Sequence, residues 1–122
     1  MARSSGLIVQ TIQGVTTVTF NETAVLDAVV IEAIGRDLYA LVDKQDRRKI
    51  VLDLSKVEFL SSMMIGVLIN LYHKLGKLKG QLAICGLRPK LKQVFTITRL
   101  DKLLKFYADE NAALAAFNVY MK

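Results

Sequence analysis

The chain opens on a run of β-branched and aliphatic residues, Leu7-Ile8-Val9-Gln10-Thr11-Ile12-Gln13. After Gly14, Val and Thr alternate with a period of two from Val15 to Phe20. Two such runs around a Gln-Gly pair predict a β-hairpin turning near Gln13-Gly14. Asn21 to Leu26 reads as a loop. Asp27 reads as a helix N-cap, because its carboxylate can accept from the first unpaired backbone N–H groups. Val30, Ile34, Leu38 and Leu41 then recur at helical spacing, with Glu32, Arg36, Asp37 and Asp43 on other faces, which predicts an amphipathic helix. Lys44 to Lys49 is a charged turn. Ile50 to Leu54 is short and nearly continuous in apolar residues, the pattern of a strand buried on both faces. Ser62 to Leu75 is helical by period, and Gln81 to Cys85 is a second buried strand that Gly86 ends. Pro89 suits the first turn of a helix with Leu91, Val94 and Phe95 on its apolar face. Leu103 to Tyr107 predicts a last strand, and Asp109 caps a final helix through Ala113, Leu114 and Phe117.

This order, β-β-α-β-α-β-α-β-α, predicts an α/β fold with a mostly parallel sheet and helical crossovers. The opening hairpin adds an antiparallel pairing at one edge. Residues 6–120 read as one domain after a flexible N-terminal segment, residues 1–5. At 122 residues the chain is of one-domain length.

Composition removes several function classes. No apolar run approaches the ~20 residues that a membrane span requires. No secretory leader is visible at the N-terminus, and the one cysteine, Cys85, has no internal disulfide partner, which points to the cytoplasm. One His and one Cys do not make a metal cluster, and no Gly-rich phosphate loop is present, so neither metal nor cofactor is expected. The net charge of +6 is uneven: Lys74, Lys77, Lys79, Arg88, Lys90, Lys92, Arg99, Lys102 and Lys105 are opposed only by Asp101 between Phe59 and Lys105. Without an Arg-rich helix or an aromatic stacking platform, that balance reads as a solvated face rather than a nucleic-acid surface. Asp53, His73 and Cys85 have no second group converging on them, so an enzyme is not expected.

The most informative stretch is IVLDLSKVEFLSSMMIGVLINL, residues 50–71. On a helical wheel Met64, Leu68, Leu71, Tyr72 and Leu75 form the core stripe, and Ser62, Gly66, Ile69 and His73 fall on the opposite side. Ser62 is thus expected in solvent at the positive end of a helix, with Gly66 leaving a notch one turn along.

Taken in order, several segments resemble the STAS domains, in particular the stand-alone bacterial anti-sigma factor antagonists. They are Leu26-Asp27-Ala28, Ile31 to Arg36, Val51-Leu52-Asp53-Leu54-Ser55, Val57, Phe59, Gly66-Val67-Leu68, Gly86-Leu87-Arg88-Pro89 and Phe95 to Asp101. The resemblance implies a mixed sheet of about five strands, with about four helices packed mainly on one face. It also implies a regulatory binding protein whose partner is an anti-sigma factor of the serine-kinase type. In that family an acidic residue precedes the phosphorylated Ser or Thr. Here Ser61 stands in the acidic position, Ser62 in the acceptor position, Met63 at the following hydroxyl residue and Met64 at a glycine. Ser62 is the expected phosphorylation site, with Ser61 second.

The expected contact surface comprises Asn21 to Asp27, Leu60 to Gly66, Ile69 and the Gly86–Arg88 loop. Its named members are Asn21, Thr23, Asp27, Leu60, Ser61, Ser62, Met63, Ile65, Gly66, Ile69, Gly86, Leu87 and Arg88. The loss of the acidic residue leaves a second reading open, a scaffold or assembly subunit without a phosphoswitch, including a subunit of a lipid-transport complex. Whether the chain forms a homodimer is also left open.

Overall fold

The computed structural model describes residues 6–119. The expected flexible segment, residues 1–5, lies outside the described residues, as does residue 120 of the expected domain. The elements are β1 (Leu7–Ile12), β2 (Val15–Phe20), β3 (Ala24–Val25), α1 (Ala28–Asp43), β4 (Lys49–Asp53), β5 (Phe59–Leu60), α2 (Ser62–Lys77), β6 (Gln81–Cys85), α3 (Pro89–Ile97), a 3-10 turn (Leu100–Lys102), β7 (Lys105–Tyr107) and α4 (Glu110–Ala116).

The five-stranded sheet has the order β1-β2-β4-β6-β7. β1 and β2 are antiparallel, joined by a two-residue turn in which Gln13 and Gly14 both have positive φ, 48° and 85°. That is the turn whose twist matches a hairpin. All the other pairings in this sheet are parallel. The chain moves from β2 to β4, β6 and β7 always in the same direction across the sheet. Right-handed crossovers taken in one direction place their helices on one face, so α1, α2 and α3 share a side. The last helix, α4, follows the last strand and covers the other side.

β4 and β6 are therefore sealed on both faces, as their continuous apolar composition predicts. Ile50 and Leu52 of β4, with Leu82 and Ile84 of β6, join the main core with Ile34, Leu38, Leu68, Leu71 and Phe95. The alternate residues Val51, Ala83 and Cys85 join Val15, Ala113, Leu114 and Phe117 in a smaller core beneath α4. Gly35 is buried where α1 meets α2, and a Cβ there would touch the Val67 side chain at 3.6 Å.

Three local expectations change. The segment read as a loop, Asn21 to Leu26, contains β3, which pairs in parallel with β5 as a separate two-stranded sheet. Two-residue strands carry no periodic signal. β7 begins at Lys105 rather than Leu103, because Arg99 reverses the chain in the left-handed region (φ 61°) and opens a 3-10 turn. β4 runs from Lys49 to Asp53, one residue earlier than expected.

Candidate functional site

Three of the parallel strands, β2, β4 and β6, end at the same edge of the sheet. The segments that follow them hold all the residues expected at the contact surface. Asn21, Thr23 and Asp27 follow β2; Leu60 to Ile69 lie on β5 and α2; Gly86, Leu87 and Arg88 follow β6. In parallel sheets this carboxyl edge is the usual place for a binding site.

Backbone hydrogen bonds tie the first two segments together. Glu58 N and Phe59 N donate to Thr23 O at 2.7 and 3.1 Å, and Ser61 N donates to Val25 O at 3.1 Å. The pairing sets Ala24 opposite Phe59 and Val25 opposite Leu60. The start of α1 and the start of α2 are thereby held side by side. Asp27 caps α1, its Oδ1 accepting from Val29 N at 2.8 Å and Val30 N at 3.3 Å.

The two serines divide their work. Ser61 is the N-cap of α2, and its Oγ accepts from Met64 N at 3.2 Å. Ser62 is the first helical residue and is exposed. It sits in a first turn without acidic residues, while Lys74 and Lys77 occupy the last turn. An anion at Ser62 meets the favourable end of the helix dipole.

The paired segments that lead into α1 and α2 carry large apolar side chains in solvent. Leu26, Val29, Phe59 and Met63 are each between 43% and 55% exposed. The sequence reading missed Val29 and Phe59. Val29 was detectable as an apolar residue off the helical stripe, and Phe59 as an aromatic residue two positions after buried Val57. Gly66 does leave a notch, with no atom within 4 Å of where a Cβ would stand. Leu60, Ile65 and Leu87 are only half-buried, packed on the main core.

Ile69 departs from its expected outward position. It is half-buried against the main core. The apolar stripe of α2 is wider than one packed face, since Val67 on the other flank meets α1. His73, in contrast, is exposed as expected.

The third segment acts largely as a brace. Gly86 has φ +74°, and its N–H donates to Tyr107 O at 3.2 Å. Arg88 Nε donates to Ser55 O at 2.9 Å, and its guanidinium lies 3.5 Å from the Glu58 carboxylate. Asp53 Oδ1 accepts from Ser55 N at 2.9 Å, and Asn21 Oδ1 from Lys56 Nζ at 2.9 Å. Lys90, at the start of α3, places Nζ 5.4 Å from the centre of the Phe59 ring. The β4–β5 loop is thus gripped from β2, β6 and α3.

Cys85 is buried beneath α4. Burial first, and then the Asp53, Glu110 and Asp109 charges, push its thiol up to about 12. A thiol held neutral in this way is a packing group, not a nucleophile. Among the described residues no group of three or more His, Cys, Asp or Glu could hold a metal ion. No described helix is long and apolar enough to cross a membrane.

The STAS domain family matches residues 7–113. The chain belongs to this family. Among curated relatives it is similar to BtrV of Bordetella bronchiseptica, provisionally named an anti-sigma factor antagonist, at 29% identity over 96% of this chain and 91% of BtrV. A crystal structure of an anti-sigma factor antagonist from Mycobacterium paratuberculosis superposes with a TM-score of 0.80 at 30% identity, covering 93% of each chain. The unphosphorylated form of the antagonist SpoIIAA shares the fold, with a TM-score of 0.72 at 14% identity over 92% of this STAS chain and 97% of SpoIIAA.

Proposed function

We propose that this STAS protein is a non-enzymatic anti-sigma factor antagonist of the cytoplasm, and that phosphorylation of Ser62 switches its binding off. Its partner in this reading is an anti-sigma factor of the serine-kinase type, bound across the carboxyl edge of β2 and β4. The observation that carries the proposal is the division between the serines. Ser61 takes the capping bond, which leaves Ser62 exposed in the first turn of α2, on paired segments that also expose Leu26, Val29, Phe59 and Met63. The similarity to named antagonists over nearly the full chain supports the same reading.

The physics separates folding from binding. A phosphoserine carries about −1.5 to −2 charges at neutral pH. At a helix N-terminus the fold tolerates that charge, because the dipole favours it by about 0.3–1 kcal/mol. Covered by an apolar partner surface without a counter-ion, the same charge costs several kcal/mol. The modification therefore leaves the protein folded and removes its partner.

The test is co-purification of partners with Ser62→Asp and Ser62→Ala, with mass spectrometry of the peptide containing Ser62. Ser62→Asp is expected to lose the partner and Ser62→Ala to retain it. Equal capture by both variants removes the switch. The second reading, a scaffold or assembly subunit without a phosphoswitch, then takes its place. It is favoured by Ser61 in the acidic position and by the exposed Met63, a side chain that adapts to varied apolar partners.

A further inference from the structure

We propose that the outer edge of β1 pairs with the same edge of a second copy of this chain, across a two-fold axis at Val9. The pairing joins two five-stranded sheets into one.

β1 stands at the end of the sheet order. Ile12 and Val15 flank the two-residue turn, so they are the hydrogen-bonded pair that closes it. Hydrogen-bonded and non-hydrogen-bonded pairs alternate in an antiparallel ladder. The backbone groups of Ile12, Gln10 and Ile8 therefore point at β2, and those of Thr11 and Val9 point away from it.

Natural edge strands avoid self-pairing by carrying charge or proline, by a bulge, or by a covering element. Among the described residues β1 uses none of these. Residues 7–12 contain no charged residue and no proline. The pairing with β2 runs without a bulge from Leu7↔Phe20 to Ile12↔Val15. Ile8 and Val9, on opposite faces of the strand, are 45% and 46% exposed.

Charge selects the occupant. The chain has a net charge of +6, so two copies repel each other at long range. Residues 7–20, the whole hairpin, contain no Asp, Glu, Lys or Arg. This uncharged strip is where a second copy approaches most easily. The strand also complements itself. With Val9 opposite Val9 of the second copy, Leu7 faces Thr11, Ile8 faces Gln10, and the outward N–H and C=O groups of Val9 exchange two hydrogen bonds. Such an isologous contact closes as a dimer and does not propagate. A six-residue strand spans only about 20 Å, so the interface is below standard size and the dimer depends on concentration. The start of α2 lies elsewhere, on the crossover from β4 to β6, so the dimer is independent of the proposed switch.

Sedimentation equilibrium of the full chain, from micromolar to near-millimolar protein, is expected to move from the mass of one chain toward that of two. Val9→Lys opposes two ammonium groups at the axis and is expected to shift this association to several-fold higher concentration. Exposed Val9 tolerates the change, and an unaltered thermal transition verifies that. Mild oxidation is expected to link Val9→Cys into a disulfide dimer, since directly opposite residues lie within disulfide reach. Gln10→Cys, staggered from its own copy, is expected to link far less, and Cys85 is buried. A single-chain mass at every concentration overturns the proposal. So does a dimer that Val9→Lys leaves intact, or equal cross-linking of the two cysteine variants.

Discussion

Gly86 is pressed against Ser55: a Cβ on Gly86 would stand 2.8 Å from the Ser55 Cβ and 3.1 Å from its Cα. The end of β6 thus rests directly on the loop that leads to the start of α2. Two residues later Arg88 donates to the Ser55 carbonyl at 2.9 Å. The shape of the β4–β5 loop depends on a missing side chain as well as on a present one.

Gly86→Ala is therefore expected to destabilise the protein by about 1–3 kcal/mol, the range of a strained backbone position. Two causes add: φ is +74°, and the new methyl meets the Ser55 Cβ and Cα, which are fixed by the backbone, rather than a mobile side-chain end. Urea unfolding measures the loss. Partner capture should fall as well, since displacement of Ser55 moves Glu58 and Phe59. A variant as stable as the parent would mean that the loop yields freely.

Cys85 gives a pH signature. Its thiol is pushed up to about 12 in the folded protein, from an ordinary value of 9.0. Between those values the unfolded chain has released the proton and the folded chain has kept it. The stabilising contribution is complete below pH 9, and it is lost as pH rises toward about 12. Cys85→Ala lacks this contribution, so its stability should fall less steeply than the parent's over the same range. Denaturant titrations at successive pH values compare the two slopes. At neutral pH a thiol reagent should label Cys85 only after unfolding.

Much of this arrangement was legible in the sequence. The alternation of Val15 to Phe20, the continuous apolar runs at Ile50 and Leu82, and the wheel that buries Leu68 and exposes Ser62 and His73 depend on local period, and the structure agrees with each. The pairing of β3 with β5 was not legible, because two-residue strands joined across 33 residues of chain leave no local pattern. Nor was the bracing role of Arg88, which depends on the close approach at Gly86. The half-burial of Ile69 needed knowledge of what packs beside α2.

Lys90 and Lys92 offer a contrast within the basic half of the chain. Both are exposed on α3. The sequence alone treats them alike, as solvated charge. The structure sets Lys90 5.4 Å from the Phe59 ring, which lies in the proposed contact surface. Lys90→Glu replaces a cation–π contact, worth ~0.5–1 kcal/mol at exposed sites, with a carboxylate facing the ring. It should weaken partner binding, while Lys92→Glu leaves it unchanged. Titration calorimetry with the captured partner separates them, and equal affinities would remove Lys90 from the surface.

The two serines can be told apart by stability. Ser61 Oγ accepts from Met64 N, so Ser61→Ala leaves a first-turn N–H of α2 without its cap. The expected cost is about 1 kcal/mol. Ser62 is exposed and one residue inside the helix, where alanine is a better helix former than serine. Ser62→Ala should therefore change stability by less than ~0.5 kcal/mol, as at most surface positions. Ser61→Asp keeps a capping oxygen, adds a negative charge at the positive end of α2 and should unfold no earlier than the parent. It also restores the acidic residue that precedes the acceptor in the family pattern. If a serine kinase is the partner, Ser61→Asp should raise phosphorylation of Ser62 without loss of stability. Urea midpoints of the three variants test the capping assignment, and phosphopeptide yield tests the acceptor. A Ser62→Ala variant that loses as much stability as Ser61→Ala would exchange the two roles and take away the structural reason for Ser62 as the switch.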